Sequence, residues 1–230
     1  MSRIFGLSNT AATRAPRRTA GIDGAFALAL LLLACHPPGA ATPPSSGRAG
    51  VSEGETVLPT GVHLDPVAPS VTLGSMPLAM MLSPSGDRVI AVLSGMRQQG
   101  FQVIDRRSGR VLQTLVQPSA FIGAAFSPDG RTLYVSGGNQ DVVYRYAWRD
   151  GSATLVDSLV LARKAKGKDG THYPAGIAAS PDGRRLYVAE NLADSLAVVD
   201  VATGVVVQRL ATERYPYGVV VAKNGTVYVS

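Results

Sequence analysis

The tetrapeptide Ser180-Pro181-Asp182-Gly183 precedes a β-rich run, Leu186-Tyr187-Val188-Ala189. The tetrapeptide recurs as S-P-S-G at residues 83–86 and as S-P-D-G at 127–130, with a degenerate copy at 222–225. Proline fixes φ and Asp-Gly favours a tight hairpin, so each copy predicts a turn between two strands. Recurrence at intervals of 42 to 53 residues indicates a repeat architecture.

The unit at residues 174–210 contains four strand-like runs separated by turn residues. Small residues at 175–179 suit an innermost strand, where the sheets of a propeller converge. Four antiparallel strands in about 42 residues are typical of a propeller blade. We therefore predict an all-β propeller over residues 70–230, with blades at about 75–115, 120–161 and 174–210 and the start of a fourth at 216–230.

The motifs of the third unit resemble those of the YVTN family of β-propeller repeats. They are S-P-D-G, an L-Y-V strand, and the turn Val198-Val199-Asp200-Val201-Ala202-Thr203-Gly204. The first unit departs by lacking the tyrosine, and the second replaces the last turn with residues 146–151. The arrangement is also similar to exported bacterial proteins that join such a propeller to a C-terminal phosphoesterase of the alkaline phosphatase superfamily. That resemblance implies a propeller domain beside a catalytic domain.

The repeats also predict an incomplete ring. About three and a half blades are present, whereas propellers have at least about four. Residues 70–74 precede the first blade as residues 207–210 precede the fourth, which indicates an outermost strand. We expect the chain to be the N-terminal part of a longer polypeptide, the alternative being a half-ring that closes by dimerisation.

Residues 1–34 have the pattern of a secretory signal, with arginines before an apolar run at 25–34. That run is too short to span a bilayer as a helix. It ends Leu32-Leu33-Ala34-Cys35, which resembles the bacterial lipobox and predicts lipidation of Cys35, the only cysteine. We therefore expect an exported lipoprotein, periplasmic or at the cell surface, attached to a membrane through Cys35, and favour the outer membrane.

Residues 35–69 are rich in Pro, Gly and Ser and predict a flexible tether. The formal charge is +6, but four of the 22 basic residues and one acidic residue lie in the leader, so +3 remains after it. No continuous basic stripe with interleaved aromatic residues is present, which argues against nucleic acid as a partner.

No catalytic or metal-binding constellation is evident in the sequence. No pair among the three histidines, His36, His63 and His172, has metal-ligand spacing, and Cys35, the only cysteine, does not join them in a ligand set. Asp129, Asp182 and the serines before them recur at turn positions, which indicates a structural role. We expect no cofactor, no catalytic residue and no metal site in this chain.

Blade topology nevertheless identifies a candidate ligand face. In a four-stranded antiparallel blade, the turn between the second and third strands lies at the same end as the connection to the next blade. A partner protein or small ligand is expected there, at Arg97, Gln98, Asn139, Asp141, Tyr173, Asn191, Asp194 and Tyr215.

The connection between the second and third blades is longer by about nine residues and strongly basic. Such charge runs are usually solvated loops, and binding of an acidic ligand or phosphate headgroup is the alternative. The sequence thus predicts a lipid-anchored binding module that is not itself an enzyme. The alternative is the accessory propeller of a metal-dependent phosphoesterase whose catalytic domain lies outside this chain.

Overall fold

The computed structural model describes residues 56–57, 59–64 and 70–230 of the 230-residue chain. The predicted signal segment and Cys35 lie outside the described residues. Apart from one short 3-10 turn, Gly138–Gln140, the regular elements of this part are β-strands. None of the described segments forms a helix long and apolar enough to cross a membrane.

Three sheets of four antiparallel strands follow one another along the chain. Each has its strands in sequence order, so each is one blade of a propeller. The first blade contains β3 (Pro77–Leu82), β4 (Arg88–Ser94), β5 (Gln99–Asp105) and β6 (Val111–Val116). The second contains β7 (Ala124–Phe126), β8 (Thr132–Ser136), β9 (Val142–Arg149) and β10 (Ser152–Val160). The third contains β11 (Pro174–Ala179), β12 (Arg185–Glu190), β13 (Ser195–Asp200) and β14 (Val206–Ala211).

Two shorter sheets accompany these blades. A pair formed by β15 (Val219–Val221) and β16 (Val227–Val229) begins a fourth blade. Near the other end of the described chain, β1 (Thr56–Val57) pairs with β2 (His63–Leu64). This small hairpin lies within the segment for which the composition predicts a flexible tether.

The recurring tetrapeptide forms the hairpin between the first two strands of each complete blade. In the third blade, Ser180 Oγ donates to Asp182 Oδ1 (2.6 Å) and accepts from the Arg185 amide (2.9 Å). Gly183 has a φ of +71°, which glycine adopts without steric cost. Serine and aspartate are therefore turn residues here, as their repetition in the sequence indicates.

The core lies between adjacent blades. Ile90 and Phe101 of the first blade pack with Leu133 and Tyr146 of the second, and Tyr146 meets the ring of Phe101 edge-on at 4.9 Å. The Tyr146 hydroxyl donates to Gln117 Oε1 (2.9 Å), and burial raises the pKa of this tyrosine. A similar cluster joins the second and third blades.

The outer faces of the array are more exposed. Tyr134 and Tyr228 occupy equivalent positions on the second strands of blades two and four, each paired with the first strand of its blade. Tyr134 is covered by the third blade and is 3% exposed, whereas Tyr228 is 62% exposed. Met80 on the first strand of blade one is also largely exposed.

Candidate functional site

The end of the propeller that carries the predicted ligand face is called the axial end. It consists of the turns between the second and third strands, at residues 95–98, 137–141 and 191–194, and of the connections between blades. These connections are residues 117–123, 161–173 and 212–218. The opposite end carries the hairpins formed by the recurring tetrapeptide.

Each connection at the axial end is fixed by one residue of the preceding blade. Asp194 accepts from the Thr212 amide through its backbone carbonyl (2.9 Å) and from the Tyr215 amide through Oδ1 (2.9 Å). In the first blade, Gln99 accepts from the Gln117 amide through its backbone carbonyl and from the Ser119 amide through Oε1. We call this arrangement the blade joint, since it attaches each connection to the blade before it.

The joint between blades two and three is the most extensive. The Asp141 carboxylate is fully buried and accepts three backbone amides, from Thr171 (2.8 Å), His172 (3.0 Å) and Tyr173 (2.9 Å). The Asp141 carbonyl accepts from Leu161 at the other end of the connection (2.9 Å). Asp141 and Asp194, both predicted as ligand-binding residues, therefore hold the backbone.

The side-chain amides of two asparagines predicted on the ligand face also hydrogen-bond within the protein. Asn191 Nδ2 donates to the carbonyl of Pro216 (3.2 Å), and Asn139 donates to Asp169 Oδ1 (3.0 Å). Arg97 and Gln98 line an open cavity of about 540 Å³ beside the first blade, with Gln117 at its inner wall. The face therefore combines polar groups that fix its shape with an accessible cavity at one side.

An aromatic cluster lies where the connections approach the innermost strands. The ring of Phe121 contacts Tyr173 and Tyr217 edge-on, with centroids 5.1 and 5.8 Å apart. Tyr215, next to this cluster in sequence, is 61% exposed. Of these rings the sequence had singled out only Tyr173 and Tyr215, which each precede a proline in a blade connection, whereas Phe121 and Tyr217 do not. The cluster gives the axial end an apolar surface suited to a flat or ring-shaped ligand.

His172 is the group that sequence reasoning passed over. It is partly buried, and its amide is held by Asp141. Its Nδ1 lies 2.9 Å from Thr171 Oγ1. It is the only histidine in residues 70–230. Within the described part of the chain, His, Cys, Asp and Glu side chains form no group of three that could hold a metal ion.

Comparison with known proteins supports the fold. A family model described as "Lactonase, 7-bladed beta-propeller" matches residues 123–229, a range that includes Asp141, His172 and Tyr173. Curated protein sequences gave no match. The prediction of an all-β propeller is confirmed by this match and by the four-stranded sheets.

Solved structures give the same result at low sequence identity. A functionally unknown protein from Desulfotomaculum acetoxidans is 20% identical, with a TM-score of 0.56 over 71% of this chain and 51% of its own. A proposed 6-phosphogluconolactonase from Bacteroides uniformis is 18% identical, with a TM-score of 0.54 over 76% of this chain and 55% of its own. Hydrazine synthase of Kuenenia stuttgartiensis is 22% identical, with a TM-score of 0.51 over 78% and 44%. The chain thus spans about half the length of these structures.

These findings correct one expectation drawn from the sequence. The interpretation of the chain as a non-enzyme is wrong, because the matching family model is that of a lactonase and a structural neighbour is described as one. That interpretation rested on the absence of a recognisable catalytic or metal-binding motif from the sequence. The matched range includes the basic connection and His172.

Proposed function

We propose that the axial end belongs to a propeller hydrolase that opens a cyclic ester, with His172 as its general base. The observation that carries the proposal is the fixed position of this histidine, whose amide donates to the buried carboxylate of Asp141. The family match over residues 123–229 supports the reaction class. A lipid anchor at Cys35 remains part of the proposal and is supported by the sequence alone.

The chemistry requires a base that works near neutral pH. Histidine has an ordinary pKa near 6.5, so its neutral form can accept a proton from water. When Nδ1 carries the ring proton and donates to Thr171 Oγ1, Nε2 keeps its lone pair. Nε2 then takes a proton from water as the water oxygen attacks the ester carbonyl. Breaking the ring C–O bond returns that proton to the alkoxide, which gives a hydroxy acid.

The aromatic cluster serves substrate binding in this proposal. A small lactone is a compact ring with apolar faces and one polar edge. The rings of Phe121, Tyr173 and Tyr217 offer an apolar surface for its face, with phenol hydroxyls on two of them to bond its edge. Tyr173 directly follows His172, so the base and the binding surface are joined through the backbone.

The test is hydrolysis of δ-valerolactone by the purified chain, followed as acid release at constant pH. Replacement of the base, His172→Gln, should lower kcat/KM by about 10²–10⁴-fold, the range typical of general-base removal. Thr171→Val should have a smaller effect, since it removes only the hydroxyl that selects the tautomer. Arg184→Gln, at the opposite end, is the control and should hydrolyse at the wild-type rate. Wild-type activity no higher than that of buffer, or full activity of His172→Gln, would contradict the proposal.

A further inference from the structure

The connection between blades two and three carries a concentration of positive charge. Arg163, Lys164, Lys166 and Lys168 lie within six residues, and Asp169 is the only acidic residue of the connection. In the described part of the chain, none of the four cations forms an ion pair. The Asp169 carboxylate accepts from the side-chain Nδ2 of Asn139 and from no cation. We call residues 162–170 the basic loop.

This loop is attached to the protein at several points. Lys164 Nζ donates to the carbonyl of Asn139 (2.6 Å), and the Asn139 side chain bonds both Asp169 and the Gly170 amide. A Cβ at Gly170 would lie 2.6 Å from Asp141 Oδ1, so only glycine allows this close approach. The basic loop is therefore docked on the second blade and differs from a freely solvated charge run.

The tip of the loop projects away from the blade. Lys168 donates its amide to the carbonyl of Ala165 (3.1 Å), which closes a turn with Gly167 at a φ of +73°. A Cβ at Gly167 would meet no atom within 4 Å, and Lys166 and Lys168 beside it are exposed. The fold thus fixes the base of the loop and leaves its cations accessible.

Like charges within one short loop repel one another, and the repulsion is relieved when an anion binds between them. Phosphate suits the arrangement because its several anionic oxygens can accept from more than one ammonium or guanidinium group at once. We propose that the basic loop is a phosphate-binding element. The phosphate could belong to a soluble molecule or to a lipid headgroup, since both present the same chemistry to lysine and arginine.

The test removes three exposed cations and spares Lys164, which bonds the protein. The loop variant is R163Q/K166Q/K168Q. The control variant, R107Q/R131Q/R184Q, removes three exposed cations at the opposite end and so has the same net charge. All chains, wild type included, carry Cys35→Ala, so that no lipid anchor binds the vesicles, and each purified full-length chain is titrated with pyrophosphate in a calorimeter. Each is also sedimented with vesicles of phosphatidylglycerol or of phosphatidylcholine.

We expect the wild type and the control to bind pyrophosphate, phosphatidylglycerol vesicles or both. Neither should sediment with phosphatidylcholine vesicles. The loop variant should bind vesicles about fivefold more weakly for each cation removed, which is about a hundredfold in all. Binding to pyrophosphate alone assigns a soluble ligand, whereas binding to vesicles alone assigns a headgroup. Binding to neither, or an equal loss in both variants, would overturn the proposal. Because no lactone is present, the result is independent of the proposed hydrolase activity, and His172→Gln should bind phosphate normally.

Discussion

Replacing Asp141 by asparagine tests whether the blade joint stabilises the propeller. The side chains are nearly the same size, and both tolerate the positive φ of +54° found here, so backbone strain is unchanged. Asparagine can still accept from His172 and Tyr173 through Oδ1. Its NH₂ group cannot accept from Thr171, whose amide donates to Oδ2 in the wild type. The substitution therefore removes one of three hydrogen bonds and the charge that strengthens the other two.

The magnitude follows from these contacts. Losing one bond to a charged acceptor costs about 1.5–3 kcal/mol, and converting two others to neutral bonds costs about 1 kcal/mol each. Relief from burying a carboxylate offsets part of this, which leaves a net loss of about 3 kcal/mol. For a chain of this size that corresponds to a fall in Tm of about 6–12 °C. Asp194→Asn is the matched control, since Asp194 also has a positive φ but is exposed, and its carboxylate accepts only one amide.

The assay is urea unfolding followed by the fluorescence of Trp148, the only tryptophan, which is 7% exposed in the second blade. Asp141→Asn should lower the free energy of unfolding by about 2 kcal/mol more than Asp194→Asn. If the two variants differ by less than about 0.5 kcal/mol, the three amide bonds do not carry the stability assigned to them.

Three further variants test two other polar contacts of the third blade. Arg209→Met should cost about 3–5 kcal/mol in urea unfolding, because it leaves the fully buried Glu190 without its bidentate partner. The double variant E190L/R209M should recover most of that loss, since the position of Glu190 is occupied by Leu93 in the first blade. If stability is not recovered, the loss in Arg209→Met does not come from an unpaired buried carboxylate. Ser180→Ala should raise the pKa of Asp182, which the Ser180 hydroxyl now holds below its usual 3.8, and an unchanged value in an NMR titration would refute this. Because the folded-state pKa of Asp182 is lowered, the stabilisation that its hydrogen bond with Ser180 gives is present above the pKa of the unfolded chain and is lost as pH falls through the folded-state pKa.

The sequence could predict the blades because their turns are made from neighbouring residues. Ser180 and Asp182 are two positions apart and bond each other, so a short local pattern specifies the hairpin and similar residues recur where it forms. Small residues and L-Y-V runs then mark the strands on either side. The resemblance to YVTN repeats rests on the same local signals.

For the candidate site, the sequence could predict at which end of the propeller it lies but not the contacts that build it. Asp141 and Tyr173 were expected at the same end, but their direct bond spans 32 residues, and no local pattern specifies it. In the first blade the equivalent bond is made by Gln99, a residue of different type and length. A function shared by unlike residues leaves no repeat in the sequence. His172 has no histidine or cysteine neighbour, and its importance depends on contacts that only the fold supplies.

The blade joint also bears on how such a protein can be altered. Asp141 holds both ends of the connection, through Leu161 on one side and residues 171–173 on the other. The nine or so extra residues between these anchors are therefore closed into a loop by backbone contacts that, apart from the glycine needed at position 170, do not depend on their own sequence. Loop-closure entropy grows only slowly with length. The same anchors should accept a grafted segment of different length and chemistry. The joint makes this connection a natural place to exchange one recognition loop for another without redesigning the blades.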